Sequence, residues 1–372
     1  MNCGCRVKGL PDGSQGFYMK KNNIRILIVI IFASLVVATY FFAATRRQVE
    51  ADSGYRLVMG TFAHIIAVAP NSHTADKCIK AALQQLRNIE ALMSYHRDDS
   101  ELANVNRNAY KEPVKVSSQT FEVLQKAIEF SKLSEGAFDV TVGPLVDLWR
   151  QAAEANTVPS DDKLTEARSK VGYEKVILDA DNMTVQFTVE GMKLDLGGIA
   201  KGYAIDKAVE AMANYGATAG LVDVGGNIRC FGKPKTRPHW RIGLQDPNEN
   251  FGFRISDFGS PADAGEPLLI LKFNDAAVAT SGHYRRFAQI QGKKYSHIID
   301  TETGFSSDKL ASVTIIAEDA TTADALSTAV IVMGAEKGLA LIKQLPETDA
   351  ILITLPPKYD LIKTTGAEKY VK

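Results

Sequence analysis

The residues of this sequence that could bind an anion lie in two short stretches, each with an acidic residue followed by two glycines. The stretches are Asp195-Leu-Gly-Gly and Asp223-Val-Gly-Gly, and apolar residues flank both acids. Glycines at a junction between a strand and a helix let backbone N–H groups approach an anion, which the positive end of the helix dipole also attracts. Two such junctions could converge on one ligand. A tight turn that needs glycine only for steric reasons is the alternative for each.

Lys201 is expected in the first turn of the helix that follows the first stretch. A positive charge in that position opposes the helix dipole unless an anionic ligand is also present. The glycine spacing matches neither the Walker phosphate loop nor the G-x-G-x-x-G dinucleotide motif. The pattern therefore favours an anionic ligand without identifying it.

A second kind of chemistry is indicated by Asp324 and Thr328, which lie four residues apart in a predicted helix and therefore share one face. Carboxylate and hydroxyl oxygens are ligands that suit a hard cation. Val330 and Ile331 indicate that this helix is buried, and an unpaired carboxylate in a buried helix is costly. The alternative is a carboxylate in the first helical turn that the backbone satisfies.

His297 is the candidate base, and it is expected within a strand at 296–299, close to the acidic residues of the turn that follows. A histidine with an ordinary pKa of about 6.5 can take up a proton near neutral pH. A lone histidine with a purely structural role is the alternative.

Apolar periodicity predicts the elements that position these residues. Helices are expected at about 72–93, 118–135 and, as a pair, 321–345, with Gly136 as the C′ residue of the second. Residues 176–189 have the pattern of a hairpin, 193–195 are expected as a strand, and 246–267 as a long loop. Further strands are expected at 55–58, 64–68, 221–224, 228–231, 240–244, 268–273, 287–290, 296–299, 313–317 and 351–355. Because helices cluster early and strands late without regular alternation, the fold class is α+β.

Residues 26–44 form an apolar run without charge, proline or glycine, which is long enough to span a bilayer of roughly 30 Å. Basic residues precede the run, so the positive-inside rule puts the N-terminus in the cytoplasm and the rest of the chain outside. A cleaved signal peptide and a buried core helix are the alternatives. The predicted organisation is a basic cytoplasmic N-terminus (1–25), a transmembrane anchor or signal peptide (26–45), a connector (46–54) and one folded domain (55–372).

The composition is that of an ordinary globular protein, with 45% hydrophobic and 23% charged residues. Because 43 basic residues balance 43 acidic ones, a basic surface for nucleic acid is not expected, and the apolar fraction argues against disorder. Only Cys78 and Cys230 follow the apolar run, too few for a disulfide framework.

Together these segments resemble the ApbE family of flavin transferases, in order, across most of residues 55–345. Each motif is weak alone, whereas the ordered set is specific. The set comprises Met59-Gly-Thr, Met93-Ser-Tyr95, Gly136-Ala-Phe-Asp139, Asp195-Leu-Gly-Gly-Ile-Ala-Lys-Gly202, Asp223-Val-Gly-Gly-Asn227, Thr280-Ser-Gly, His297-Ile-Ile-Asp300 and Ala323-Asp-Ala-Leu326.

The resemblance implies a single T-fold-like α+β domain with a mostly antiparallel sheet, here preceded by a transmembrane helix or signal anchor. It implies Mg²⁺-dependent transfer of FMN from FAD, bound in an extended cleft, to a Ser or Thr hydroxyl of an acceptor flavoprotein. The product is a phosphoester and AMP leaves. Acceptors are expected among subunits of membrane redox complexes, with the catalytic domain on the periplasmic or outer side of the inner membrane and no nucleic-acid partner.

By position in the motifs, the resemblance also implies the site residues. The residues expected to contact the flavin nucleotide are Met59, Tyr95, Ala137, Phe138, Asp139, Asp195, Lys201 and His297. The expected Mg²⁺ ligands are the Gly198 carbonyl, Asp324 and Thr328, with Ser327 adding its carbonyl. His297 and Asp324 are the expected catalytic residues.

Two departures from the family pattern concern the adenine side of the site. Thr301 stands where many members have proline, and His283 stands where a small polar or acidic residue is common. The alternatives for the activity are an FAD pyrophosphatase that releases FMN and AMP, and a flavin-binding protein without turnover.

Overall fold

The computed structural model describes Met1 and residues 21–45, 48–247, 267–283 and 287–371. The chain divides into two units, residues 1–48 and 49–372. The predicted loop at 246–267 falls almost entirely outside the described residues. The helices are α1 Lys21–Thr45, α2 Ser72–Met93, α3 Glu101–Asn108, α4 Ser118–Leu133, α5 Gly143–Glu154, α6 Asp161–Ser169, α7 Ala200–Asn214, α8 Ala320–Met333, α9 Ala335–Ile342 and α10 Glu368–Val371.

The first unit contains α1, which covers the predicted apolar run and exposes apolar side chains such as Val29 and Phe32. Within the described part of the chain, no helix was found to combine the length and apolarity that a membrane crossing requires. The predicted transmembrane anchor is therefore not confirmed.

The second unit is built on an antiparallel sheet of nine strands. The strands within the described residues are β1 Val49–Asp52, β2 Arg56–Val58, β3 Thr61–Ala69, β4 Val114–Lys115, β5 Val176–Asp179, β6 Thr184–Phe187, β7 Ala219–Val224, β8 Asn227–Phe231, β9 Trp240–Leu244, β10 Leu269–Phe273, β11 Ala276–Gly282, β12 Phe287–Ile290, β13 Lys293–Ser296, β14 Ser312–Ala317, β15 Asp349–Ile353 and β16 Leu361–Lys363. The large sheet has the order β1-β3-β7-β8-β11-β14-β15-β16, and β2 also pairs with β3. The α+β class and the antiparallel sheet are confirmed.

The two faces of the large sheet bury different clusters, because side chains alternate between faces along a strand. Val222 and Ile315 face a core that contains residues of α2, α7 and α8. Leu221 and Ile316 face the opposite way, toward apolar residues of the antiparallel strand pair β9–β10. Because α7 packs against both α2 and α8, the glycine-rich junction before α7 lies beside α8 on the first face.

Most predicted elements are present. The helix at 72–93 begins as expected, with the Asn71 side chain accepting a hydrogen bond from the Thr74 N–H. The hairpin at 176–189 is β5–β6, and the final helix pair is α8 and α9.

Four local predictions need correction. Gly136 is not the C′ residue of α4: Glu135 takes the left-handed conformation (φ 54°), and the Gly136 N–H bonds to the Ser131 carbonyl in a Schellman motif. Residues 193–195 form no strand, only a single bridge from Lys193 to Val142. The strand expected at 296–299 lies instead at 293–296, so His297 falls in the bend after it. The predicted connector at 46–54 contains β1, which pairs with β3.

Candidate functional site

The carboxylate of Asp324 joins three elements, and only 3% of the residue is exposed. Its Oδ1 accepts hydrogen bonds from Asn227 Nδ2 at 2.7 Å and from Lys201 Nζ at 3.2 Å. Its Oδ2 accepts from the Gly202 N–H at 2.9 Å. Residues that follow the two glycine pairs therefore converge on one carboxylate of α8, and whether the two junctions also share one ligand stays a prediction.

Lys201 lies in the first turn of α7, as predicted. The ion pair with Asp324 compensates its unfavourable position at the positive end of the helix dipole. Asp324 thus supplies part of the negative charge that the position of Lys201 had indicated for a ligand.

Gly202 explains how α7 and α8 approach so closely. A Cβ atom on Gly202 would lie 2.1 Å from the Ala320 carbonyl oxygen and 2.8 Å from the Asp324 Cβ. No side chain other than hydrogen fits between the two helices at this point. The backbone N–H of Gly202 can therefore reach Asp324.

Gly198 lies next to Thr328, which is one helical turn after Asp324 on α8. A Cβ atom on Gly198 would be 3.2 Å from Thr328 Oγ1 and 3.1 Å from the Phe138 ring. Of the four predicted metal ligands, the structure thus brings Gly198 next to Thr328, and Thr328 shares its helix face with Asp324. The fourth, Ser327, is buried, and its hydroxyl bonds to the Asp324 carbonyl and pairs with Ser281, each at 2.9 Å.

These donors have the chemistry that Mg²⁺ prefers, because carboxylate, hydroxyl and carbonyl groups supply hard oxygens. Among the described residues, no group of three or more His, Cys, Asp or Glu side chains could hold a metal. A set with a single carboxylate fits an ion that completes its shell with water and phosphate oxygens, as Mg²⁺ commonly does.

Asn227 is the site residue that the sequence did not assign. It directly follows the second glycine-rich stretch and is 3% exposed, and its amide donates a hydrogen bond to Asp324. The signal in the sequence was its place in the family motif Asp223-Val-Gly-Gly-Asn227, whereas its burial and its partner are visible only in the structure.

Asp195 lies in the extended segment before the first glycine turn. Its Oδ1 accepts a hydrogen bond from the Gly197 N–H at 2.8 Å. Desolvation raises the pKa of the Asp195 carboxyl, and the hydrogen bond opposes this rise. The carboxylate shapes the turn that places Gly198 beside Thr328.

Tyr95 is held through its hydroxyl. It donates to Asp147 Oδ1 at 2.8 Å, and Asp147 is also paired with Lys193 at 2.5 Å and Arg150 at 2.9 Å. Desolvation, followed by the hydrogen bond to Asp147, raises the pKa of Tyr95 above its ordinary value. The ring is half-buried and fixed in orientation, and its hydroxyl keeps its proton at neutral pH.

The predicted contact residues at 137–139 form a braced loop. Phe138 is buried edge-on against Phe130, with 6.4 Å between ring centroids. Asp139 accepts hydrogen bonds from the Thr141 N–H and hydroxyl and from the Tyr173 N–H. Burial raises the pKa of Asp139, and these hydrogen bonds oppose that rise. Both carboxylate oxygens are engaged within the protein, and a direct nucleotide contact of Asp139 stays a prediction.

His297 is exposed, and the residues that follow it are anchored. Asp300 accepts hydrogen bonds from the Glu302 and Thr303 N–H groups and pairs with Lys309. Thr301, the departure from the family pattern, donates to the Gly136 carbonyl at 2.7 Å. This bond connects the segment after His297 to the loop that contains Phe138.

The remaining predicted residues lie in separate segments. Met59 is half-buried in the turn between β2 and β3 with φ 53°, and Ala137 is half-buried in the loop before Phe138. His283 has its Nδ1 2.9 Å from the Ala311 carbonyl. Direct contact of Met59, Ala137 and His297 with a nucleotide stays a prediction.

Comparison with known proteins identifies the family. The model of the ApbE family matches residues 59–352. The chain belongs to the ApbE family. It is 35% identical over 326 residues to the FAD:protein FMN transferase of Treponema pallidum (strain Nichols), which covers 83% of this chain and 86% of that protein. It is 34% identical over 287 residues to the protein of the same name from Vibrio cholerae, which covers 76% and 81%.

Solved ApbE structures share the fold. The ApbE protein of Thermotoga maritima superimposes with a TM-score of 0.76 at 31% identity, covering 87% of this chain and 99% of that chain. The flavin transferase ApbE from Vibrio cholerae gives a TM-score of 0.72 at 31% identity, with the same coverage. The predicted ApbE resemblance is therefore confirmed.

Proposed function

We propose that this ApbE family member is an FAD:protein FMN transferase that moves FMN from FAD to a Ser or Thr hydroxyl of an acceptor flavoprotein. The observation that carries the proposal is the convergence of Lys201, Gly202 and Asn227 on Asp324, with Gly198 next to Thr328 one helical turn further along α8. A cluster of hard oxygens and the Lys201 ammonium group beside the N-terminus of α7 suit a pyrophosphate. The relatives named as FMN transferases make FAD the natural source of that pyrophosphate.

In the proposed reaction the acceptor oxygen attacks the phosphorus next to riboflavin. The bond between that phosphorus and the bridging oxygen breaks, AMP leaves with the bridging oxygen, and FMN stays on the acceptor as a phosphoester. His297 takes the proton of the attacking hydroxyl, a role that suits an exposed histidine near neutral pH. Tyr95 covers the flavin ring and limits access of water.

Mg²⁺ fits the donor set of Gly198, Asp324 and Thr328, and when bound it would neutralise charge on the pyrophosphate. Asn227 and the Gly202 N–H orient the Asp324 carboxylate. Lys201 supplies a positive charge that can turn toward the phosphates from a side chain that is 27% exposed.

We also propose that residues 26–45 tether the enzyme to the inner membrane, with the second unit on the periplasmic or outer side. The uncharged run and its basic N-terminal flank support this arrangement. Tethering would raise the effective concentration of acceptors in membrane redox complexes.

The direct test is to incubate the full chain with FAD, Mg²⁺ and a flavoprotein subunit of a membrane redox complex. Transfer predicts flavin fluorescence that stays with the acceptor after denaturing electrophoresis and is lost when the acceptor Ser or Thr is changed to Ala. Equal release of FMN and AMP with and without the acceptor would instead identify a pyrophosphatase. Stoichiometric retention of FAD without release of AMP would identify a binding protein.

A further inference from the structure

Asp206 lies on α7, but its carboxylate completes the N-terminus of another helix, α8. It is 7% exposed. Its Oδ1 accepts from the Ala320 N–H at 2.9 Å, and its Oδ2 accepts from the Thr321 N–H at 2.9 Å and from the Thr321 hydroxyl. Arg229 of β8 donates to Oδ1 at 2.7 Å.

The N–H groups of Ala320, Thr321 and Thr322, at the start of α8, consequently all have side-chain acceptors. The first N–H groups of a helix have no partner within the helix. Asp319 caps Thr322 at 2.8 Å in the ordinary local way, so Asp206 takes the two amides that the local cap leaves. A second carboxylate from a distant element is not needed for capping alone, since one good cap already stabilises a helix by about 1 kcal/mol.

The two elements that hold Asp324, α7 and β8, also supply the residues that hold the first turn of α8. Gly202 and Asp206 are four residues apart on α7, and Asn227 and Arg229 are two apart on β8, so each pair shares a face of its element. Gly202 and Asn227 bind the Asp324 carboxylate. Asp206 binds the helix turn that precedes Asp324, and Arg229 binds the Asp206 carboxylate.

We propose that Asp206, held by Arg229, is a positioning residue that sets where α8 presents Asp324 to a divalent cation. The proposal rests on the proposed function, because it takes Asp324 as a metal ligand. Without the Asp206 carboxylate, Ala320 and Thr321 lose their amide acceptor and the first turn of α8 is free to move. Asp324 would then shift relative to Lys201 and Gly202 of α7, while the core around the sheet stays folded.

The experiment measures Mn²⁺ binding to the full chain without FAD, by electron paramagnetic resonance, with Mn²⁺ as the probe for Mg²⁺. Asp206→Asn is expected to raise the Kd for Mn²⁺ about tenfold, as loss of supporting contacts around a metal site commonly does. Hydrogen exchange at residues 320–328 is expected to rise in parallel. Arg229→Gln, which leaves the carboxylate on both amides, is expected to give a smaller rise in Kd and provides a second variant.

Asp349→Asn is the matched control. Asp349 is also a buried aspartate. It accepts a hydrogen bond from the Thr364 hydroxyl and forms an ion pair with Lys369. It lies on β15, so its loss is expected to lower the melting temperature and leave the Kd for Mn²⁺ unchanged. This control separates general destabilisation from a displaced ligand.

Two other results would each overturn the inference, and they are distinguishable. If Asp206→Asn and Arg229→Gln lower the melting temperature but bind Mn²⁺ like the wild type, Asp206 is only a structural cap and the proposed function stands. If Asp324→Ala binds Mn²⁺ like the wild type, the metal site itself is wrong, and the inference fails with it.

Discussion

At the scale of single residues, Asp324 is the group on which the other contacts depend. It is buried and bonded to Lys201, Asn227 and the Gly202 N–H. A buried carboxylate is costly unless it is paired, and these three donors meet that cost without a ligand. The site can therefore exist before FAD binds.

Asp324→Ala is expected to abolish most Mg²⁺-dependent transfer, lowering kcat/KM by at least about a hundredfold, because it removes the only carboxylate of the ligand set. The measurement is FMN transfer at saturating Mg²⁺, with circular dichroism to confirm folding. Asp319→Asn is the control, since Asn caps a helix as well as Asp does and removes a charge from the same helix end. Full activity in Asp324→Ala would contradict the assignment.

His297→Ala is expected to slow transfer by about 10²–10⁴-fold near neutral pH, with partial recovery in alkali where hydroxide can take the proton. The measurement is a pH profile of the transfer rate. His73→Ala, a change of an exposed histidine on α2, serves as the control. A profile of unchanged shape would mean that His297 only binds or only packs.

Tyr95→Asn is expected to shift the product from flavinylated acceptor toward free FMN, because an aromatic ring over the flavin is lost and water gains access. Tyr95→Phe keeps the ring and removes only the hydroxyl with its hydrogen bonds to Asp147 and the Gly143 carbonyl, so it should retain a transfer-to-hydrolysis ratio close to that of the wild type. The ratio is read from bound flavin and free FMN in the same reaction. Identical ratios in all three proteins would refute a covering role for the ring.

At the scale of elements, the site depends on the contact between α7 and α8. Apolar periodicity located α8 and the start of α7 correctly. It missed β11, where Ala276-Ala-Val-Ala has low strand propensity and becomes a strand only through pairing with β8 and β14. It placed a strand at 296–299 that lies at 293–296, because Ile298 and Ile299 are buried without being part of a strand.

Gly202→Ala tests the contact between the two helices. The new Cβ would overlap the Ala320 carbonyl, so α8 must shift, and overpacking of this kind costs about 1–3 kcal/mol. We expect a lower free energy of unfolding in urea together with weaker Mn²⁺ binding. In the control, Gly338→Ala on α9, the Cβ overlaps the Val330 side chain, while the nearest backbone atom, the Val330 Cα, is at an ordinary contact distance of 3.5 Å, so stability should fall while Mn²⁺ binding persists. Unchanged Mn²⁺ binding in Gly202→Ala would show that the site tolerates movement of α8.

At the scale of the whole molecule, the chain combines an N-terminal apolar unit with a folded unit that carries the family motifs. The family match begins at residue 59, so nothing in it depends on the N-terminal unit. The location of the enzyme is accordingly a separate question from its chemistry.

For location, the charge-free run and its basic N-terminal flank predict that residues 46–372 lie outside the cytoplasm. Alkaline phosphatase fused to the C-terminus should be active, since it folds only after export to an oxidising compartment, and a fusion lacking residues 1–45 should be inactive. A fluorescent C-terminal fusion that matures only in the cytoplasm serves as the reciprocal control. Phosphatase activity that is independent of residues 1–45 would contradict the predicted topology.

The sequence by itself determined the family, because eight short motifs in a fixed order are specific even though each is weak. It also determined that Asp324 and Thr328 share a helix face and that Lys201 lies in a first helical turn, since both depend only on spacing within one element. Only the tertiary structure decided the partners of these residues. Asn227 and Asp324 are 97 residues apart, and Asp206 and Thr321 are 115 apart. Contacts of that separation depend on which elements pack together, and periodicity along a single element carries no information about that choice.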